Sequence, residues 1–267
     1  MKRILVTGAT GFIGKHVTAL MDEQSEKDLD FIAWDQLSMG DLLQDSNRQF
    51  ELEKLAPHVV LHLAWSTTAN DNYHEGSSHA VWTEESLKFM NECLRRKIWF
   101  IATGSAVDAK DDKTSATPYA CAKRELRSVV EASQELGNVT LLRPQYIVSI
   151  EDERPRVVRK YLRSSSKETF ELSNPSVELD FIHVSDVASG IKVVIDNGVM
   201  GTVDLGSGSL HKVSELISAV EISRSGRSIN TGSINPSPRT STARAEALRG
   251  LGWTPIHTHK LFGEVAT

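Results

Sequence analysis

Short apolar runs at residues 3–7, 31–35, 59–63, 99–103 and 139–143 alternate with longer amphipathic stretches at about 12–23, 49–56, 83–96 and 118–136. Runs of that length bounded by turn residues read as buried strands, and the 3.6-residue periodicity between them reads as helices. In the 83–96 stretch Leu87, Met90, Cys93 and Leu94 fall on one helical face. The alternation predicts repeated βα units, hence an α/β protein built on a parallel sheet. Beyond Arg143-Pro144 the regularity weakens. A basic stretch over 151–167 carries Arg154, Arg156, Arg159, Lys160 and Arg163, which suits either a solvated helix face or a phosphate-binding surface. Residues 180–184 read as another strand leading into a helix near Ser185-Asp186. A strand at 201–205, a helix at 213–222, a loop rich in Ser, Asn, Pro and Gly at 223–241 and a short helix ending at Leu251-Gly252-Trp253 complete the pattern.

The first run leads directly into Gly8-Ala9-Thr10-Gly11-Phe12-Ile13-Gly14. Glycines at these positions let the backbone turn tightly, let a phosphate approach main-chain N–H groups and let a following helix pack close to the strand. The helix is expected to begin near Gly11 with its positive end toward the anion. The Gly-x-x-Gly-x-x-Gly spacing departs from the Gly-x-Gly-x-x-Gly dinucleotide fingerprint, but a strand precedes it and a helix follows. Asp35 closes the second apolar run about 20 residues further on, where a carboxylate accepts hydrogen bonds from ribose hydroxyls and repels a 2′-phosphate, favouring NAD over NADP. The competing role for Asp35 is capping a solvated loop.

Tyr119-Ala120-Cys121-Ala122-Lys123 follows Pro118 at the start of a helical pattern. Tyr and Lys four apart project from one helix face, and an adjacent ammonium favours the phenolate. Such a tyrosine can exchange a proton with a carbinol or carbonyl oxygen while hydride moves to or from a nicotinamide. Upstream, Thr103-Gly104-Ser105 ends a strand at the carboxyl edge of the sheet, where a hydroxyl can meet the reacting oxygen.

Taken in order, these segments closely resemble the extended short-chain dehydrogenase/reductases of the NAD-dependent epimerase/dehydratase family. The resemblance is carried by Thr7 through Gly14, Asp35, Asp41-Leu42, His62-Leu63-Ala64-Trp65, the 103–107 segment, Tyr119 with Lys123, Arg143-Pro144 and Asp180 through Ala188, and continues through Gly206-Ser207-Gly208 and Leu251-Gly252-Trp253. It implies a Rossmann-type doubly wound parallel sheet with a smaller C-terminal substrate lobe: residues 1–148 as an NAD-binding domain, and 149–267 mainly as the substrate lobe, with about 180–196 returning to the Rossmann domain. It also implies that Gly8, Thr10, Gly11, Phe12, Ile13, Gly14, Asp35, Asp41, Leu42, Leu63, Ala64, Trp65, Thr103, Tyr119 and Lys123 bind NAD. Asp41 and Leu42 would meet adenine, and Lys123 both the phenol and the nicotinamide ribose. Ser105, Tyr119 and Lys123 would be catalytic, and Thr67, Ser105, Gln145 and Tyr146 would face substrate, a sugar carried on a nucleoside diphosphate. The chain departs from the pattern in three places. The usual hydroxyl position, three residues before Val107, is Gly104, leaving Ser105 or Thr103 to serve; Asp108-Ala109 replaces Tyr-Gly; and Tyr146-Ile147-Val148-Ser149 replaces Asn-x-Tyr-Gly-Pro.

Gly104-Ser105-Ala106 offers no carboxylate pair, which disfavours sugar dehydration. Keto-sugar reduction or its reverse is favoured, with a 4-epimerase retaining NAD as the alternative and a non-catalytic NAD-binding regulator as the second. A net charge of −5 gives no overall attraction for nucleic acid or an acidic membrane. No apolar run approaches the roughly 20 residues that span a bilayer, and no signal peptide is read, so a cytoplasmic enzyme is expected. Cys93 and Cys121 show no metal-ligand spacing and read as small buried hydrophobes in helices. His183 reads as a structural strand residue, His257 and His259 as a pair without a metal cluster, and Trp65 and Trp82 as core packing or cleft flanks. No metal is expected. Helices at 83–96 and 118–136 resemble those through which family members pair, implying a homodimer.

Overall fold

The computed structural model describes the chain apart from residues 24–28, 68–75, 107–116, 155, 165–169, 173, 226–244 and 265–267. In order, the first half contains β1 (Lys2–Thr7), α1 (Phe12–Glu23), β2 (Leu29–Ala33), α2 (Gln36–Met39), α3 (Asp45–Leu55), β3 (Val59–His62), α4 (Ser78–Arg95), β4 (Trp99–Thr103), α5 (Pro118–Ser133) and β5 (Val139–Pro144). Then come β6 (Tyr146–Val148), α6 (Val157–Arg163), β7 (Glu178–Leu179), β8 (Phe181–His183), α7 (Val184–Asn197), β9 (Gly201–Leu205), β10 (His211–Lys212), α8 (Val213–Ser225), α9 (Glu246–Arg249) and α10 (Ile256–Phe262). Two compact units result, Met1–Arg143 with Ile191–Val203, and Pro144–Gly190 with Asp204–Thr267.

In the first unit a six-stranded sheet has the order β2-β1-β3-β4-β5-β9. β1 pairs in parallel with β2 and β3, as do β3 with β4 and β4 with β5. Helices cover a sheet of this kind on both faces, which is why Val59-Val60-Leu61 and Phe100-Ile101-Ala102 are unbroken apolar runs and fully buried. Leu5, Val60, Phe100 and Leu141 join Phe89, Met90 and Cys93 of α4 and Leu126 and Val130 of α5 in one core, with Leu87 and Leu94 packed at its margin. The chain leaves β1 toward β2 and returns to β3 on the other side. The carboxyl ends of β1 and β3 therefore flank a topological switch point, where open α/β sheets bind ligands.

Two helices begin earlier than the apolar pattern predicts, for the same reason. The first turn of α3 buries Arg48, which pairs with Asp45 at 3.1 Å, Glu85 at 2.9 Å and Glu92 at 3.4 Å. The first turns of α4 bury His79 and Thr83. Polar side chains on a buried face erase the periodicity that marks a helix.

In the second unit β6 pairs in parallel with β8, and β7 antiparallel with β10. Val148, Val158, Phe181, Leu216 and Val220 form its core. The expected strand over 180–184 is present as β8, shortened by one residue at each end, and runs directly into α7. Asp180 is fully buried between β7 and β8, and its carboxylate accepts from Ser207 N at 2.8 Å, Ser207 Oγ at 2.7 Å and Gly208 N at 3.0 Å. Asp186, in the first turn of α7, likewise accepts from His257 N at 3.0 Å, Thr258 N at 2.7 Å and Thr258 Oγ1 at 2.6 Å. That carboxylate holds the start of α10, a helix the sequence pattern does not reveal. α8 continues to Ser225, past the expected end near 222, and most of the expected loop lies outside the described residues.

Candidate active site

The glycine turn sits at the carboxyl end of β1. Gly8 has φ +72°, and a Cβ there would lie 2.7 Å from Ala64 N in the segment after β3. Gly14 is closed in differently: its Cβ would lie 2.1 Å from Gly8 O and 2.7 Å from Ala9 Cα. Gly11 N donates to Gly8 O at 2.9 Å and Lys15 N to Gly11 O at 3.0 Å, so α1 starts at Phe12 with its amide end at the turn. Thr10 and Gly11 are exposed, and Phe12 and Ile13 half-buried. A turn stripped of side-chain bulk, at a helix N-terminus and a sheet switch point, fits the pyrophosphate of a dinucleotide.

Asp35 lies beyond the end of β2, not within the strand. It is exposed and caps α2, accepting from Leu37 N at 3.1 Å and Ser38 Oγ at 2.9 Å. The hydrogen bonds from Leu37 and then Ser38 hold its carboxyl below the usual range, so it is a carboxylate at neutral pH. Asp41 is exposed and accepts from Leu43 N at 3.0 Å. Leu42 is buried in the main core, and its carbonyl accepts from Arg48 Nη1 at 2.9 Å.

His62, at the end of β3, joins the turn to the interior. Its Nδ1 lies 2.7 Å from Thr7 Oγ1 and its Nε2 2.9 Å from Ser86 Oγ, while Ala64 N donates to Thr7 Oγ1 at 3.3 Å. Burial, then the Lys123 ammonium and the Arg48 guanidinium, push its pKa down to about 3, so the imidazole is neutral. In the sequence His62 stands out only as part of a motif. Its place inside a fully apolar strand is the signal that marks it as a buried, paired group.

Thr117 Oγ1 accepts from Ala120 N at 3.3 Å and Pro118 opens the helix, which fixes where α5 begins. With that start, Tyr119, 9% exposed, and Lys123, 3% exposed, share the buried face. Lys123 Nζ donates to Thr103 O at 2.9 Å, lies 3.5 Å from the centre of the Trp65 ring and is 5.9 Å from the centre of the Tyr119 ring. The Tyr119 ring meets His79 edge-on, with centroids 5.3 Å apart. Trp65 Nε1 donates to His79 Nδ1 at 3.2 Å. The Thr103 hydroxyl is engaged with His62 O at 3.1 Å, while Ser105 is half-buried just past β4. Leu63 and Thr67 are half-buried in the segment after β3. Val107, Asp108 and Ala109 lie outside the described residues. The structure thus brings Thr103, Tyr119, Lys123 and Trp65 together, and Gly8 against Ala64. His79 enters this group from α4, a position no motif marks.

In the second unit Gln145 is buried; its N donates to Leu205 O at 2.9 Å, and its Oε1 has no hydrogen-bond partner among the described residues. Tyr146 N donates to Asp180 O at 3.0 Å and its ring packs edge-on against Phe181. Within the basic stretch, Arg154 pairs with Asp152 at 2.7 Å and Arg159 with Glu153 at 3.8 Å. A cavity of about 700 Å³ in this unit is lined by His183, His211, His257 and Lys260 among apolar residues of α8 and α10. His183 Nδ1 accepts from Ser185 N at 3.2 Å and its ring stacks on His257, a structural use of the side chain. Among the described residues no group of three His, Cys, Asp or Glu side chains is placed to hold a metal, and no helix is long and apolar enough to cross a membrane.

Residues 4–206 match the NAD-dependent epimerase/dehydratase family. Over 198 residues, 69% of this chain and 67% of the relative, the sequence is 28% identical to a GDP-6-deoxy-D-talose 4-dehydrogenase of Aggregatibacter actinomycetemcomitans. Over 245 residues, 82% and 88% of the two chains, it is 25% identical to a dTDP-6-deoxy-L-talose 4-dehydrogenase (NAD(+)) of the same organism. The fold is similar to that of a Bacillus anthracis dTDP-glucose 4,6-dehydratase solved with NAD, with a TM-score of 0.75 at 16% identity over 98% of this chain and 94% of that one. The glycine turn at the switch point, the buried Tyr119-Lys123 pair and the match over most of the sequence make this chain a member of the NAD-dependent epimerase/dehydratase family, NAD(P)-dependent enzymes of the extended short-chain dehydrogenase/reductase type.

Proposed function

We propose that this enzyme interconverts a hydroxyl and a carbonyl at carbon 4 of a 6-deoxyhexose carried on a nucleoside diphosphate, with NAD as the preferred cofactor. The observation that carries this proposal is the buried Tyr119-Lys123 pair, whose ammonium is held at Thr103 O beside the sheet's carboxyl edge. The names of the two sequence relatives, both 4-dehydrogenases of nucleotide-linked 6-deoxytalose, support the substrate class. The ionised Asp35, in the position where a 2′-phosphate would be repelled, supports NAD over NADP.

In this mechanism the Gly8–Gly14 turn holds the pyrophosphate, Asp35 the adenosine ribose, and Ala64, Thr103 and Lys123 the nicotinamide side. Bound NAD(P) supplies or takes up the hydride. In reduction, the Tyr119 phenol gives its proton to the oxygen of the carbonyl being reduced, and the resulting phenolate is stabilised by Lys123 until it is reprotonated. In oxidation the phenolate takes the carbinol proton. Ser105 hydrogen-bonds the same oxygen; it is favoured over Thr103 because the Thr103 hydroxyl already donates to His62 O. The second unit serves as the substrate lobe, with Gln145 Oε1, which has no partner among the described residues, turned to substrate. Cys93 and Cys121 form no disulfide, which suits a reducing cytoplasm; Cys93 is buried as expected, whereas Cys121 lies exposed on α5 and accepts from Arg124 Nη2 at 3.2 Å. α4 and α5 pack on each other and expose Val81 and Val129, apolar positions that suit a homodimer face.

The test is to denature the purified protein, identify any released nucleotide, and assay GDP- and dTDP-linked 6-deoxytaloses with NAD⁺ and their 4-keto forms with NADH. Net cofactor turnover that Tyr119→Phe abolishes, while NADH binding persists, is the expected result. Tightly retained NAD without net turnover on either sugar would overturn it in favour of epimerisation.

A further inference from the structure

Trp65 gives its ring face to a charge. The Lys123 ammonium lies 3.5 Å from the ring centre and is almost wholly buried, with Thr103 O as a hydrogen-bond acceptor at 2.9 Å. A desolvated ammonium over an indole face is held by the ring quadrupole, an attraction that grows as water is excluded. The indole is itself fixed. Its N–H can only donate, so His79 Nδ1 at 3.2 Å must be the acceptor, which places any proton of the neutral imidazole on Nε2. The two ring planes lie within 13° of each other with centroids 6.3 Å apart, so the imidazole meets the indole edge nearly in its plane. His79, on α4, in turn packs edge-on against Tyr119. The rings of Trp65, His79 and Tyr119 and the Lys123 ammonium form one contiguous set drawn from three separate segments of the chain.

We infer that Trp65, held by His79, is a positioning residue that seats the Lys123 ammonium beside Tyr119 and thereby sets the pH range over which the phenol gains and loses its proton. This rests on the proton-transfer role of Tyr119 and Lys123 proposed above. Among the described residues, the titratable groups around the ammonium are Tyr119 on its own helix, His79 on α4 and His62 at the end of β3. His62 is neutral throughout the working range. Without the indole face, the flexible lysine stem is free to carry its charge away from the phenol, and the phenolate loses support. With the ammonium 5.9 Å from the Tyr119 ring centre, a withdrawal of about 2 Å at an effective dielectric of about 20 raises the Tyr119 titration midpoint by about half a pH unit.

The experiment reads that midpoint directly, without substrate. The ultraviolet absorbance of phenolate is followed against pH, and the Tyr119 contribution among the four tyrosines is isolated by subtracting the same titration of Tyr119→Phe. Trp65→Leu, subtracted against its own Tyr119→Phe double variant, is expected to titrate higher by about half a pH unit. Trp65→Phe, which keeps a ring face, is expected to stay nearer the native midpoint. His79→Ala is expected to shift upward, and His79→Gln, whose amide oxygen can accept from the indole, to restore the native value. An unchanged midpoint in both Trp65→Leu and His79→Ala overturns the inference. Should Trp65→Leu fail to fold, the comparison of His79→Ala with His79→Gln decides by the same criterion. Turnover on nucleotide-linked sugars is a separate measurement, so failure of the proposed reaction and failure of the Trp65 seat give different results.

Discussion

Replacing Gly14 with alanine should damage both stability and dinucleotide binding, and two other glycines, Gly11 and Gly198, provide the controls that separate the causes. The added Cβ would stand 2.1 Å from Gly8 O and 2.7 Å from Ala9 Cα. Non-bonded heavy atoms rest at about 3.5 Å, so the first turn of α1 must withdraw by about 1 Å. The obstacles are backbone atoms, which puts the penalty near the upper end of overpacking costs, about 3 kcal/mol. Gly198 has φ +63° and no heavy atom within 4 Å of its Cβ position. Alanine there isolates left-handed strain of about 1–2 kcal/mol. Gly11 has no positive φ, and its Cβ would meet only Gly8 O at 3.0 Å within close range, so its alanine variant should lose under about 1 kcal/mol. For a chain of this size these values correspond to melting-temperature losses of roughly 6–12 °C for Gly14→Ala, 2–8 °C for Gly198→Ala and under about 4 °C for Gly11→Ala. Of the three, only Gly14→Ala moves the helix end away from the place proposed for the pyrophosphate. The loss of up to about 2 kcal/mol from a helix-terminus contact weakens NADH binding by up to roughly thirtyfold. Calorimetric melting and titration of NADH fluorescence measure the two effects. Native stability and native NADH affinity in Gly14→Ala would refute the reasoning, as would equal affinity losses in Gly14→Ala and Gly198→Ala.

Two further predictions concern buried titrating groups. The native pKa of His62, about 3, is depressed below its ordinary value of 6.5. The unfolded chain therefore takes up the proton first: the His62 contribution is complete above pH 6.5 and is lost as pH falls from 6.5 through 3, on the order of 5 kcal/mol over the whole window. His62→Gln should flatten that part of the urea-midpoint profile, and parallel profiles for the two proteins would contradict it. The Glu92 carboxyl is pushed up to about 7, first by burial and then by its hydrogen bond with Asp45, with Arg48 opposing. The linkage has the opposite sign: its stabilisation is complete below 4.5 and is lost as pH rises through 7. Glu92→Gln, a mimic of the protonated form, should melt above the native protein at about pH 8 and with it at about pH 4; a difference that does not change with pH would exclude the shifted titration.

The strands of the first unit and the glycine turn were legible because each depends on local information. A strand covered on both faces must be apolar at successive positions, as Val59 to Leu61 and Phe100 to Ala102 are. A turn that brings Gly8 against Ala64 cannot carry a Cβ. Legibility failed where burial was polar. Arg48 in α3 and His79 in α4 occupy buried faces that a hydrophobic pattern counts as exposed. In the second unit, Asp180 and Asp186 are buried because backbone N–H groups from residues far along the chain satisfy their carboxylates. In the sequence both belong to one family-like segment, but nothing in that segment names the distant N–H groups that satisfy them.

The candidate site divides in the same way. Residue type and spacing by themselves determined the parallel α/β frame, the tight glycine turn after β1 and the presence of Tyr119 and Lys123 on one helix face, because backbone conformation and helical period act over a few residues. Only the tertiary structure decided that the lysine's charge rests on Trp65, that Trp65 is tied to His79, and that the Thr103 hydroxyl is engaged with His62 O. Those contacts join the segment after β3 to α4 and α5, and β4 to β3. They exist because the sheet order carries distant segments to one edge, which no spacing along the chain encodes.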